Sequence, residues 1–171
     1  MTPGELKAAL QLAPEWLRAP MSFAACTGVR GGELFSLRWM DVDKGKLRVY
    51  FRETKNGALC ILRLSVKALT VLGSLSHGAE EDTVFAGVDA ARLSVYAKRI
   101  FAGLDIADAS FHTLRHRAAS WLVQNGVGLY AVGNLLGHKT ARMTQRYTRI
   151  FPPKYGGCGR QIGWHYGRNA G

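Results

Sequence analysis

Between Ala109 and Gly171 there is not one aspartate or glutamate. That stretch holds 9 of the 23 Lys+Arg residues and carries +9, whereas residues 1–108, with 14 Lys+Arg against 12 Asp+Glu, carry only +2. A two-metal nuclease centre needs carboxylate ligands, so it cannot be built from the basic stretch. Cysteine is also scarce. Cys26, Cys60 and Cys158 are odd in number and scattered, which argues against a disulfide framework and a clustered metal site; they are expected to be reduced thiols. No apolar run approaches the ~20 residues that span a bilayer, and the first residues lack a signal-peptide pattern. A soluble, cytoplasmic protein without membrane contact is therefore expected. There is no internal repeat.

What is present fits one domain with a real core: 171 residues, 47% of them hydrophobic. The basic field attracts a phosphate polymer through counterion release and steering. Charge alone leaves two readings open, an enzyme acting on nucleic acid and a passive binder of the ribosomal type. A passive RNA binder would stack bases on a sheet face, where only Tyr50 and Phe51 offer themselves.

Thr2-Pro3-Gly4-Glu5 reads as a helix start, with Leu6, Ala9, Leu10 and Ala13 recurring behind it at helical spacing. Pro14 and Pro20 should break the next region, leaving Met21 to Cys26 as a short buried helix ended by Gly28. Arg30 then sits in a turn, followed by a helix whose Leu34, Leu37, Phe35 and Trp39 face the core. Leu47 to Arg52 and Leu59 to Leu64 flank Asn56-Gly57, the signature of a tight antiparallel hairpin with Lys55 beside its tip. Thr83-Val84-Phe85 is the candidate third strand. Helices are expected over Ser65 to Leu75, Ala91 to Leu104, Thr113 to Val123, Leu129 to Leu136 and Ala141 to Ile150. From Lys154, six glycines in eighteen residues predict a flexible tail over 154–171.

The chemistry concentrates between Phe111 and Tyr147. His112 and Arg115 lie three apart, so on a helix they share a face and can reach one small anion. Arginine offers a planar fork that fits phosphate oxygens, histidine exchanges protons near neutral pH, and tyrosine can be a nucleophile. Each residue also has a bland reading. Arg30 could be an ordinary loop arginine, Glu33 a first-turn acid and Lys55 a solvated lysine. His112 could be a cap or a core histidine, His138 a helix-end histidine and Tyr147 a half-buried aromatic. His112 and His116, four apart, could share a zinc ion, but the glutamate of H-E-x-x-H and any nearby acid are missing.

These residues carry a resemblance. His112-Thr-Leu-Arg-His116, Leu135-Leu-Gly-His-Lys139 and a tyrosine nine residues after His138 resemble the catalytic domain of tyrosine recombinases, the phage-integrase family. Thr27-Gly-Val-Arg-Gly-Gly-Glu-Leu34 resembles that family's first arginine motif, and the likeness runs from Thr27 to Arg149 in the family's order. It implies an α+β, mainly helical domain over residues 1–153 with a small three-stranded antiparallel sheet.

The resemblance implies that Arg30, Arg115 and His138 hold the non-bridging oxygens of a scissile phosphate. It makes His112 a proton-transfer residue beside that phosphate, Lys55 the general acid on the leaving 5′ oxygen and Tyr147 the nucleophile. Glu33 and His116 become supporting residues. Arg117, Lys139, Arg142 and Arg146 become contacts to the DNA backbone. Neither metal nor cofactor is implied, since the two arginines and two histidines would stabilise the transition state electrostatically, and no ATP, because the phosphotyrosyl link conserves the bond energy. The implied partner is double-stranded DNA in a bacterial or phage-infected cell, with the full-length enzyme forming a homo-tetramer on DNA and this chain alone a monomer. Tyrosine recombinases usually carry an N-terminal helical domain as well, and this stretch is expected to lack it. Two alternatives stay open: type IB topoisomerase-like relaxation, and a catalytically silent DNA-binding regulator.

Overall fold

The computed structural model of the protein describes residues 1–52, 60–87, 89–106 and 108–136. The expected Asn56-Gly57 turn with Lys55, the expected helix from Ala141 to Ile150 and the expected flexible tail over 154–171 lie outside these residues. So do His138, Lys139, Arg142, Arg146 and Tyr147.

Helix α1 (Pro3–Leu12) starts where the sequence places it. The Thr2 hydroxyl accepts from the Glu5 amide at 3.2 Å, and the Glu5 carboxylate accepts from the Thr2 amide at 2.7 Å. This reciprocal pair satisfies two amides that a helix start leaves without partners. Helix α2 (Glu15–Thr27) is longer than expected, because Pro20 lies inside it rather than at its edge. An interior proline removes one hydrogen bond and costs ~3 kcal/mol. Here Leu17, Met21 and Ala24 form a buried stripe to which Pro20 itself belongs, and that burial outweighs the loss.

Helix α3 (Gly31–Ser36) is shorter than the apolar spacing suggested. Leu34 is buried on it, while Leu37 and Trp39 reach the core from beyond its end, Trp39 from a single 3-10 turn, Trp39–Asp41. The sheet has three antiparallel strands in sequence order: β1 (Val42–Asp43), β2 (Arg48–Phe51) and β3 (Cys60–Arg63). Val49 opposite Leu62 faces inward, and Tyr50 opposite Ile61 lies on the other face, as the period of two requires.

The third strand is thus not Thr83-Val84-Phe85, where only Thr83 forms an isolated bridge to Arg38. Val42 and Asp43 take the place because the chain reverses locally. The Asp43 carboxylate accepts from the Lys46 amide at 2.8 Å, and Leu47 turns the backbone at φ 54°. Val84 and Phe85 instead bury their side chains in the core. At the end of β2, Arg52 donates to the buried Asp41 carboxylate at 2.6 Å and ties the strand to the 3-10 turn.

Helices α4 (Val66–Gly73), α5 (Ala90–Ala102), α6 (Phe111–Gln124) and α7 (Leu129–Leu135) follow among the described residues. Helix α2 packs against both α4 and α6, and α6 also touches α5 and α7. One core runs from α1 through the sheet to Leu114. A smaller cluster of Ala119, Val132 and Leu136 joins the far half of α6 to α7. Among the described residues, no helix is long and apolar enough to cross a membrane.

Candidate functional site

The site begins where α2 stops. Gly28 takes the left-handed conformation, φ 69° and ψ 18°, and its amide closes the helix on the Ala24 carbonyl at 2.8 Å. Buried Val29 then carries the chain to Arg30, which caps α3 in an extended conformation. Glu33 grips Arg30 twice, accepting from its amide at 2.9 Å and from its guanidinium NH1 at 2.8 Å. The carboxylate is 9% exposed and the arginine 28%, so a nearly buried acid aims a partly open guanidinium.

Helix α6 brings the second group. Ser110 caps it, and the Ser110 amide donates to the Thr113 hydroxyl at 2.9 Å. His112 is exposed, near the helix start. Its ring meets that of His116 edge to face, with centroids 4.7 Å apart. Among the described residues, no group of three or more His, Cys, Asp or Glu side chains is arranged to hold a metal ion. A cavity of about 200 Å³ is lined by His112 together with Gly31 and Gly32, the two residues that follow Arg30. The turn carrying Arg30 and the start of α6 are therefore neighbours.

Arg115, one turn beyond His112, is only 5% exposed. The three-residue spacing places both on one side of α6, yet one faces solvent and the other the interior. The Arg115 guanidinium donates from NH1 to the Gly28 carbonyl at 2.5 Å and from NH2 to the Leu136 carbonyl. Both acceptors stand at helix ends, of α2 and of α7, where carbonyls lack helical partners and the dipole is negative. Two helix C-termini thus converge on one buried cation.

Arg117 is half-buried. Among the described residues its buried Nε finds no hydrogen-bond partner. Burial pushes the nearby Cys26 thiol above its usual range, while the charges of Lys67 and Arg117 pull it down less strongly. Two features of the site were not anticipated from the sequence. One is the tie from Arg115 to two carbonyls. The other is the tight packing at Gly28, where an added Cβ would lie 2.7 Å from Leu136 Cδ2 and 3.3 Å from Ala118 Cβ. The only sequence signal for it was a glycine at a helix end.

Residues 1–153 match the model of the phage integrase family. The tyrosine recombinase XerA of Saccharolobus solfataricus is 31% identical over 126 residues, covering 72% of this chain and 42% of that protein. The integrase of Escherichia phage HK022 is 33% identical over 150 residues, covering 78% of this chain and 41% of its own length. This chain thus spans less than half of these relatives. Among solved structures, a crystal structure of XerA recombinase superposes with a TM-score of 0.74 at 24% identity, over 91% of this chain and 65% of that one. A lambda integrase (75–356) dimer bound to a COC′ core site superposes with a TM-score of 0.73 at 22% identity, over 94% of this chain and 62% of that one.

Proposed function

The chain belongs to the phage integrase family, and on that premise we propose that residues 1–153 form the catalytic domain of a site-specific DNA recombinase that cuts and rejoins strands through a 3′-phosphotyrosyl intermediate. The observation that carries this reading is the meeting of two cationic segments: His112 of α6 lines one cavity with Gly31 and Gly32, next to the Glu33-braced Arg30, and Arg115 of α6 bonds the Gly28 carbonyl two residues before Arg30. Charge that develops on a phosphate is stabilised most by donors already fixed in place, and Arg30 is fixed by two bonds to one carboxylate.

In the proposed reaction the Tyr147 oxygen attacks phosphorus, with its proton passing to a base such as His112. The bond from phosphorus to the 5′ oxygen breaks, and Lys55 supplies the proton that oxygen needs. Arg30, Arg115 and His138 hold the non-bridging oxygens, while Arg117, Lys139, Arg142 and Arg146 track the DNA backbone. A 5′ hydroxyl from another strand reverses the step without ATP, metal or cofactor. Double-stranded DNA is the partner, the full-length enzyme forms a homo-tetramer on it, the free domain is a monomer, and the cytoplasm is the site of action.

The test is a covalent trap. The protein is incubated with nicked duplexes that lose the short 5′-hydroxyl strand after cleavage, a random-sequence pool serving first to find the site. A denaturation-resistant DNA-linked band is expected, with a phosphotyrosine-bearing peptide that contains Tyr147. Sequence-independent relaxation of supercoiled DNA by a monomer would favour the topoisomerase alternative instead. Binding to the selected site without any linked band would overturn catalysis and leave a silent DNA-binding protein.

Glu33→Gln supplies a finer check. It removes the charge and at least one of the two bonds to Arg30. Single-turnover cleavage is expected to slow about tenfold, the equivalent of ~1.4 kcal/mol of barrier. DNA affinity, measured by anisotropy, should change less than threefold, that is by less than ~0.7 kcal/mol.

A further inference from the structure

We propose that Gly28 and Leu136 are positioning residues for the cleavage centre, forming with Arg115 a three-point joint that fixes the Arg30 turn, helix α6 and the end of α7 against one another. The inference rests on the strand-transfer reading and deepens it.

Arg115 bonds through both terminal nitrogens, one to each carbonyl, so the plane of its guanidinium is set by Gly28 and Leu136 together. The joint also sits close to the proposed chemistry along the chain. Arg30 follows Gly28 by two residues, His138 follows Leu136 by two, and His112 precedes Arg115 by one helical turn. Holding two carbonyls on one guanidinium therefore constrains where three candidate segments start.

Glycine leaves room for this approach. Any Cβ at Gly28 would lie 2.7 Å from Leu136 Cδ2, closer than carbon atoms pack, and 3.3 Å from Ala118 Cβ. The left-handed φ of 69° adds a second demand, which asparagine tolerates and other side chains resist. If Gly28 gains a side chain the Leu136 side chain must shift, and because it is buried against Ala119 and Val132 that shift presses on the residue whose carbonyl receives the NH2 bond.

The experiment compares the full chain with Gly28→Asn, Leu136→Ala and the double variant. Asparagine keeps the backbone conformation accessible, so it isolates the steric effect. Single-turnover cleavage at saturating DNA and the dissociation constant for DNA are measured separately, with thermal melts confirming a folded chain. Gly28→Asn is expected to slow cleavage on the order of 100-fold while affinity changes less than threefold, since displacement by about an ångström has that cost for a reacting centre. Adding Leu136→Ala, which vacates the clashing methyl, should restore at least tenfold of the loss.

Cleavage by Gly28→Asn at the wild-type rate, or a double variant no faster than the single, would overturn the inference. If Gly28→Asn does not fold, Leu136→Ala alone decides, because it keeps the carbonyl but removes the side chain that anchors it against Ala119 and Val132: about tenfold slower cleavage at unchanged affinity supports the joint, and wild-type cleavage overturns it. Failure of the wild-type chain to form the covalent link would instead defeat the underlying reading.

Discussion

Tyr147→Phe should give no DNA-linked protein in the covalent trap, a loss on the order of 10⁴-fold or more, the scale that follows deletion of a nucleophile working within a constellation. The change removes one oxygen and leaves the ring, so the cationic surface that attracts DNA is untouched and binding should persist within about twofold, or ~0.4 kcal/mol. A phosphodiester has no other route to a protein-linked intermediate here unless a second side chain takes over the attack. Tyr130 is the nearest rival among the described tyrosines in sequence, on α7 and 83% exposed. Persistence of the linked band in Tyr147→Phe, with the adduct mapping to Tyr130 or elsewhere, would refute the assignment of the nucleophile.

Arg115→Ala is expected to damage both folding and chemistry. Two charge-assisted hydrogen bonds are lost at once, and the carbonyls of Gly28 and Leu136 are left buried beside a cavity. Bonds to a charged group contribute ~1.5–3 kcal/mol each, which gives about 3–6 kcal/mol for the pair. For a chain of this size that corresponds to a fall in melting temperature of about 10 °C, readable by calorimetry. Cleavage by the molecules that remain folded should drop about 10²–10³-fold, the usual cost of removing one donor from a developing oxyanion.

Arg115→Lys separates the two roles. A single ammonium keeps the charge between the helix ends but cannot bond along two fixed directions, so stability should recover more than cleavage does. An Arg115→Ala protein that melts like the wild type would contradict the buried tie. One that melts low yet cleaves at full rate would confine Arg115 to a structural role.

Much of this architecture was legible before any coordinates, because its signals are local. Thr2 and Glu5 declare the start of α1 within one turn of chain, the apolar spacing of Leu93, Ala97, Ile100 and Phe101 declares α5, and alternation around Val49 and Leu62 declares the hairpin strands. The residue types proposed for phosphate chemistry could be named with their order and spacing. Errors arose where a local rule met a non-local force. Pro20 is a helix breaker by its own chemistry, yet packing on both sides holds it inside α2. Thr83 to Phe85 has the composition of a strand, yet the place beside β2 is taken by Val42 and Asp43, only a short reversal away, while Val84 and Phe85 are drawn into the core.

By itself, then, the sequence determined the inventory: which segments are helical, where basic charge accumulates, and which arginines, histidines and tyrosine are available. The tertiary structure alone decided how His112 and Arg115 divide their tasks, one exposed and one buried between two helix ends. Helical spacing specifies a shared face but not which part of that face is covered. The covering depends on hydrogen bonds that join Arg115 to Gly28 across 87 residues and to Leu136 across 21, separations over which no local pattern in a chain carries information.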